Sequence, residues 1–331
     1  MANIYDVAKA AGVSPATVSR VLNGARVSPD RAARVRAACA ELGFRPNRVA
    51  RGLRRQSSDV LGLIIADIEN PFFTALARGV EDVARTAALS VVLCNADDDP
   101  EKEAAYLDVA LAEHMAGVII SPASVTETDI TQVLAKGIPV VAIDHSPESA
   151  QVDTVASDEE RGAYAATCHL IEEGYRRIAC ITGPRESWAA VQRLRGFLRA
   201  HRECDPPRAR PAVKYSDFRV RGGYRAMAEL LDSAQPPDAV MVTNNLMAAG
   251  ALEAMYDRDL RPPAIGVAAF GDAFWSHLVR PALTSVHQPA YEIGRAAAEL
   301  VLRRRTSPDL DPQTVVLPTS LEIRDSSRRP S

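Results

Sequence analysis

From Val60 onward, short apolar runs alternate with stretches of helical length, and no other feature restricts the fold of this chain as strongly. The runs fall at 60–66, 89–94, 117–121, 140–143, 178–182, 239–242 and 265–270. Strands separated by helical patterns read as βαβ units, whose parallel strands are covered by helices on both faces. Two such sheets are expected, with a break near residues 152–158. The length agrees, because 331 residues at 47% apolar content exceed one domain of roughly 100–200 residues and can fill more than one core.

The first sixty residues follow a different pattern. Ile4, Val7, Ala8 and Ala11 lie at i, i+3, i+4 and i+7, so they share one face of a short helix, and Gly12 can end it in the left-handed conformation. Ser14 then offers an N-cap oxygen and Pro15 takes the first helical position, where its missing N–H costs nothing. Val18, Val21 and Leu22 form the inward stripe of this second helix, which Asn23 and Gly24 close. A third helix is expected from Ser28 as cap, with Asp30 in its first turn and Ala32, Val35, Cys39 and Leu42 buried. Two short helices joined by Gly-Val-Ser make a helix-turn-helix.

Charge separates the two parts. Residues 1–55 carry eleven basic side chains against three acidic ones, a balance of +8; the whole chain is −3, so the remaining 276 residues sum to −11. A basic end on an acidic body is the footprint of phosphate neutralisation by one end only. Cys39, Cys94, Cys168, Cys180 and Cys204 lie far apart without a CxxC pair or a histidine at ligand spacing, and are expected to be reduced packing residues. No apolar leader follows Met1 and no run approaches the ~18 apolar residues of a membrane span, so a cytoplasmic protein without membrane contact is expected.

An enzymatic reading has little to stand on. The sequence holds no GxxxxGK[ST], no GxGxxG after a strand, no GxSxG and no HExxH. No catalytic residue, cofactor or metal is assigned. Asp97, Asp98 and Asp99 read as a solvated turn before the helix that Pro100 opens, and His287 reads as structural.

The segment IYDVAKAAGVSPATVSRVLNG at residues 4–24 resembles the amino-terminal signature of the LacI family of bacterial repressors, and the resemblance continues along nearly the whole chain. It implies an α plus α/β protein: a helix-turn-helix three-helix domain at 1–45, a hinge helix at 46–58, and a two-lobed periplasmic-binding-protein-like α/β domain at 59–331. Lobe one would take 59–157 and 288–316, and lobe two 158–287 and 317–331, with crossovers near 157, 287 and 317. In such a protein Pro15 and Ala16 open the recognition helix but offer few hydrogen bonds, so base reading would fall on Thr17, on Ala16 against a thymine methyl, and on Arg20, whose fork suits guanine. Tyr5, Ser14, Ser19, Asn23 and Arg26 match positions that touch backbone or flanking bases. The run GFRPNRVARGLRRQSS at 43–58 matches the family's hinge, in which Asn47 would cap, Ala50 and Arg51 would approach the minor groove, and Leu53 would wedge between central base pairs.

The resemblance also places a small-molecule site between the lobes, at the carboxyl ends of parallel strands. Asn70, Phe72 and Phe73 match the family's Asn-Pro-Phe-Phe loop, Arg193 matches its effector-binding arginine, and Trp188, Phe218, Asn245, Asp272 and Trp275 stand at matching loop positions. Two tryptophans in the cleft favour a carbohydrate. Two departures qualify this: Gly271 replaces an acidic residue, and Asn244-Asn245 stands where Asn-Asp is usual, with Asn245 expected to cap the next helix. The effector is therefore bound differently, acidic, or absent. The function implied is a homodimeric repressor of a near-palindromic operator on double-stranded DNA; the alternative is a DNA-binding dimer that has lost effector response.

Overall fold

In the computed structural model of the chain, residues 2–22, 26–44, 58–203 and 211–329 are described. They form two compact units, Met1–Ser58 and Asp59–Ser331. Asn23, Asn47, Ala50, Arg51, Leu53, Cys204 and the hinge segment lie outside the described residues.

The first unit contains α1 (Ile4–Ala11), α2 (Pro15–Leu22) and α3 (Pro29–Glu41). Asn3 starts α1 with a capping box: its Oδ1 accepts from the backbone N–H of Tyr5 and Asp6, and the Asp6 carboxylate accepts from the Asn3 N–H. Gly12 ends α1 at φ 59°, a conformation only glycine adopts without cost. The Ser14 hydroxyl accepts from the Thr17 N–H at 3.2 Å. Val7, Ala8, Ala11, Val18, Val35 and Ala38 close the core. Three expectations for α3 need correction. Ser28 makes no side-chain cap bond, Ala32 and Cys39 are half-buried, and Leu42 is exposed. Leu42 is the residue on which the chain leaves the helix, so Ala38, one turn earlier, takes the interior place.

The second unit is built on two sheets. The first joins β1 (Val60–Ile65), β2 (Ser90–Asn95), β3 (Gly117–Ile120), β4 (Val140–Ile143), β5 (Asp153–Ser157) and β11 (Thr314–Leu317), in the order β11-β5-β4-β3-β1-β2 with all strands parallel. Successive residues point to opposite faces, and the sequence fills both. Leu61, Leu63 and Ile65 pack on α4 (Pro71–Thr86) and α11 (Ala290–Thr306), while Ile64, Val118 and Ile120 pack on α5 (Pro100–Ala112) and α6 (Thr131–Ala135).

The second sheet joins β6 (Ile178–Thr182), β7 (Val213–Tyr215), β8 (Ala239–Val242), β9 (Gly266–Phe270), β10 (Thr284–His287) and β12 (Ser320–Glu322), in the order β12-β10-β9-β8-β6-β7 with only β12 antiparallel. The helices α7 (Glu159–Glu172) and α8 (Trp188–Glu203) cover one face, and α9 (Val220–Leu231) and α10 (Asn245–Tyr256) the other. Neighbouring elements change sheets after β5, after β10 and after β11, so the chain passes between the lobes at three places. Strand β11 pairs through Leu317, one residue beyond the expected end of that lobe segment.

A buried ion pair closes one edge of the first sheet. The Asp153 carboxylate, 2% exposed, accepts from Arg304 Nε at 2.6 Å, from Arg304 Nη2 at 2.9 Å and from the Gln313 N–H at 2.9 Å. Cys39, Cys94 and Cys180 are free thiols, but Cys168 is disulfide-bonded, which corrects the expectation that all the cysteines are reduced. No helix among the described residues is long and apolar enough to cross a membrane.

Candidate nucleic-acid interface and ligand cleft

On the first unit, packing of Val18 against α1 and α3 fixes which side of α2 faces outward. Ala16 and Arg20 are exposed, Pro15, Thr17 and Ser19 are half-buried, and Tyr5, Ser14 and Arg26 are exposed. The Thr17 and Ser14 hydroxyls lie 3.0 Å apart and share a hydrogen, so the Ser14 cap also orients Thr17. Arg34 is paired with Asp30 at 3.4 Å, whereas Arg20 has no ion pair among the described residues and keeps its guanidinium fork open.

In the second unit, a cavity of about 330 Å³ opens between the two lobes at the carboxyl ends of their strands. That size matches a small-molecule site. Asn70, Phe72, Phe73, Trp188, Arg193, Phe218 and Asn245 all line it. Asn70 caps α4 by accepting from the Phe72 N–H at 3.0 Å and also accepts from Asn245 Nδ2 at 3.0 Å, a hydrogen bond from one lobe to the other. Phe73 is buried in the core of the first lobe, and Phe72 meets it edge to face with centroids 5.0 Å apart. Arg219, at the start of α9, bridges the lobes again through Asp67 at 2.8 Å and Asp97 at 3.6 Å.

Two residues expected in the cleft are elsewhere. The Asp272 carboxylate is held by Arg324 at 2.9 Å and by the Ser285 hydroxyl at 2.6 Å, with His277 at 3.4 Å. Burial opposes ionisation there, but these partners keep Asp272 below the usual carboxylate range. Trp275 packs on α10 in an outer groove beside Tyr256 and Val279. Gly271, with φ of +88°, stands between the end of β9 and these two residues. A Cβ at that position would also lie 2.8 Å from Asn245 Nδ2, so the positive φ and the neighbouring amide, which would have to shift, both disfavour the usual acidic side chain. The cap of α10 is Asn244, which accepts from the Met247 N–H at 2.9 Å; Asn245 is free of that task and faces the cleft.

The aspartates after β2 are more than a solvated turn. Asp99 caps α5, Asp97 pairs with Lys102 at 2.6 Å, and Asp98 lines the cleft, where the surrounding protein raises its carboxyl above the usual range.

The polar floor of the cleft joins Arg193, which the resemblance singled out, to Glu159, Gln288, Ser157 and Thr243, which sequence reasoning did not. Arg193 is 8% exposed; its Nε donates to Glu159, its Nη1 donates to the Thr243 carbonyl at 2.7 Å, and its guanidinium lies 4.2 Å from the centre of the Phe270 ring. Glu159 also accepts from Gln288 Nε2 at 2.9 Å and from the Ser157 hydroxyl. Arg193 is thereby tied to two of the crossing segments.

Asp144 and His145 follow β4 into the cavity. Asp144 Oδ1 and both ring nitrogens of His145 are buried without a hydrogen-bond partner. Burial, then the Glu159 charge, pushes the Asp144 carboxyl up to about 7 against the pull of Arg193. Burial pushes His145 down to about 4. The His145 ring stacks on Trp188 with centroids 5.6 Å apart. Glu103, 1% exposed, accepts from the Ala123 N–H at 2.7 Å and the Thr128 hydroxyl at 2.6 Å, fixing the loop that forms another wall. A signal for Asp144 existed: it stands at the carboxyl end of a parallel strand, the position that pointed to Asn70. No group of three or more potential metal ligands occurs among the described residues.

Residues 3–47 match the family described as bacterial regulatory proteins, lacI family, and residues 167–327 match a periplasmic binding protein-like domain. The chain is 35% identical to catabolite control protein A of Priestia megaterium over 98% of its own length and 99% of that protein. Its fold superposes on the lac repressor dimer bound to operator and the anti-inducer ONPF with a TM-score of 0.86 at 27% identity, covering 98% of this chain and 99% of that one. A complex of the transcriptional regulator CelR with cellobiose is 31% identical over 98% of this chain and 100% of its own, with a TM-score of 0.72.

Proposed function

The chain belongs to the LacI family of bacterial regulatory proteins, and from that premise we propose that it is a cytoplasmic, homodimeric repressor that binds a near-palindromic operator and changes its operator affinity when a sugar or sugar derivative occupies the cleft. Two copies of α2 enter successive major grooves about 34 Å apart, and Leu53 of each hinge wedges into the minor groove between them. Arg20 and Thr17 read bases, Ala16 meets a thymine methyl, and Tyr5, Ser14, Pro15, Ser19, Asn23, Arg26, Asn47, Ala50 and Arg51 set register and approach.

One observation carries the reading: a capped helix on a basic unit exposes Ala16 and an unpaired Arg20 among the described residues. The effector part is supported by a cavity of about 330 Å³ with aromatic walls and buried polar atoms left without partners. Such atoms are costly unless a ligand answers them. They also favour a responsive cleft over one that has lost its ligand. A ligand shifts operator affinity only by its differential affinity for the two lobe arrangements, so the same cleft serves an inducer or a corepressor. Self-association is supported by the exposed Val92 and Leu93 on the edge strand β2, by the exposed Phe274 and Leu278, and by the dimeric state of the lac repressor relative.

Selection of duplexes from a random pool by the purified protein tests the reading. A palindromic consensus that weakens in Leu53→Ala and changes in Arg20→Ala is expected. Random selection, or an unchanged consensus in Arg20→Ala, overturns the assigned reader. Titration of neutral, amino and phosphorylated sugars against the selected operator then tests the effector; no change of operator affinity across that panel overturns the regulatory part.

A further inference from the structure

The charges that line the cleft are unequally answered. Arg193 is paired with Glu159 and bonded to the Thr243 carbonyl, and Arg219 is paired with Asp67 and lies within 4 Å of Glu69 and Asp97. Both arginines of the cavity wall are therefore neutralised by the protein itself. Most of the carboxylates are not: Asp67 is paired with Arg219, but the half-buried Asp144 and the exposed Asp98, Glu127 and Glu186 line the same cavity without an ion pair among the described residues. Asp144 stands out, because its Oδ1 is buried and accepts no hydrogen bond, as is true of Oδ1 of Asn245. The unmet demand in the cleft is thus mainly for hydrogen-bond donors and positive charge. Trp188, Phe72 and Phe218 add aromatic faces, which attract cations as well as sugar C–H groups.

We infer that the ligand of this cleft carries a protonated amine: an amino sugar whose ammonium group is bound by Asp144, with the surplus carboxylates of the wall excluding phosphorylated and uronic sugars. The inference rests on the regulatory reading above and narrows its ligand class. An ammonium at Asp144 supplies a charge-assisted contact to a buried carboxylate oxygen that otherwise accepts no hydrogen bond. A sugar phosphate would bring two further negative charges into a wall whose own cations are already engaged. Burial is the chief cause of the raised carboxyl of Asp144, with the Glu159 charge adding to it and Arg193 opposing it.

The test is calorimetric titration of the full chain near pH 7.4, where the sugar amines are largely protonated, with glucosamine, galactosamine and mannosamine, each beside its parent hexose and its 6-phosphate, and with putrescine as an amine lacking the ring. At least one amino sugar is expected to bind tenfold or more tightly than its parent hexose and its phosphate, and more tightly than putrescine. The preference should fall below twofold in Asp144→Asn, whose folded state is checked by thermal denaturation. In the wild type it should shrink severalfold at pH 5, where Asp144 takes up a proton. No amino sugar exceeding its parent tenfold, a phosphate as the tightest ligand, putrescine binding as well as the amino sugars, or a preference that survives Asp144→Asn each overturns the inference. If a neutral sugar binds and shifts operator affinity while the amines do not, the ligand class falls and the regulatory reading stands. If an amino sugar binds through Asp144 and leaves operator affinity unmoved, the reverse holds.

Discussion

The β5–β11 edge of the first sheet and the cleft both enclose carboxylates, and they treat them in opposite ways. At the edge, Asp153 receives Arg304 and the Gln313 N–H, while Arg304 spends its remaining N–H groups on the carbonyls of Pro308, Leu310 and Asp311. Burial would raise Asp153, but these bonds hold it below the usual carboxylate range. In the cleft, Asp144 keeps one oxygen empty and is pushed the other way. A satisfied buried group serves the fold. An unsatisfied one in a cavity is held there at a cost in stability, and the gain comes when a ligand binds.

Arg304→Ala should break the contrast most severely, because it strands a buried charge: a loss of about 3–5 kcal/mol is expected in chemical denaturation. Adding Asp153→Asn should recover part of it. A single-variant loss below about 1 kcal/mol would remove the edge as a structural lock.

The cleft should respond with the opposite sign. The folded-state value of Asp144, about 7, lies above its ordinary 3.8, so the folded protein retains a proton that the unfolded chain releases. Stability contributed by this group therefore falls as pH rises from about 4 to about 7. Asp144→Asn should stabilise the protein at pH 8 by about 1–3 kcal/mol, less than the full shift implies because water enters the cleft, and by almost nothing at pH 4. His145 runs the other way: its value of about 4 lies below 6.5, so stability is lost as pH falls through that window, and His145→Gln should flatten the acid limb. Melting temperature against pH for the two variants and the wild type checks both signs.

Gly271→Asp, which restores the acidic residue usual in the family, should cost about 1–2 kcal/mol because an L side chain is strained at φ +88°. A stabilised variant there would show that the turn relaxes easily. The smallest effect is expected for Asn245→Ala, about 0.5–1.5 kcal/mol, since it removes the bond to Asn70 but also an oxygen that was already unpaired.

The contrast also explains what could be read from the sequence. Central strands were legible because buried parallel strands are continuous apolar runs, as in VLGLII of β1. DTVAS of β5 and TSVH of β10 were not, because their polar residues are satisfied by partners far along the chain, such as Arg304 for Asp153, and SLE of β12 was not, because it is three residues long with its polar side chains exposed. In the reader, Ser14 and Gly12 announced their roles locally, whereas the Asn3 cap passed unnoticed although Asp6 stands at its capping-box position. In the cleft, Asn70, Phe72, Trp188, Arg193 and Phe218 were found through family resemblance. Asp272 and Trp275 do not line the cavity, since Asp272 is held by Arg324 and the Ser285 hydroxyl and Trp275 packs beside Tyr256, and Asp144 needed knowledge of which strand ends converge.

The central claim, that this chain reads a specific DNA sequence through α2, is tested most directly by fluorescence anisotropy with the selected operator and a shuffled duplex of equal length at one salt concentration near ~150 mM. The account predicts that the operator binds at least about 10³-fold more tightly than the shuffled duplex and that Arg20→Ala loses about 1–3 kcal/mol of that discrimination. Equal affinity for the two duplexes would contradict it.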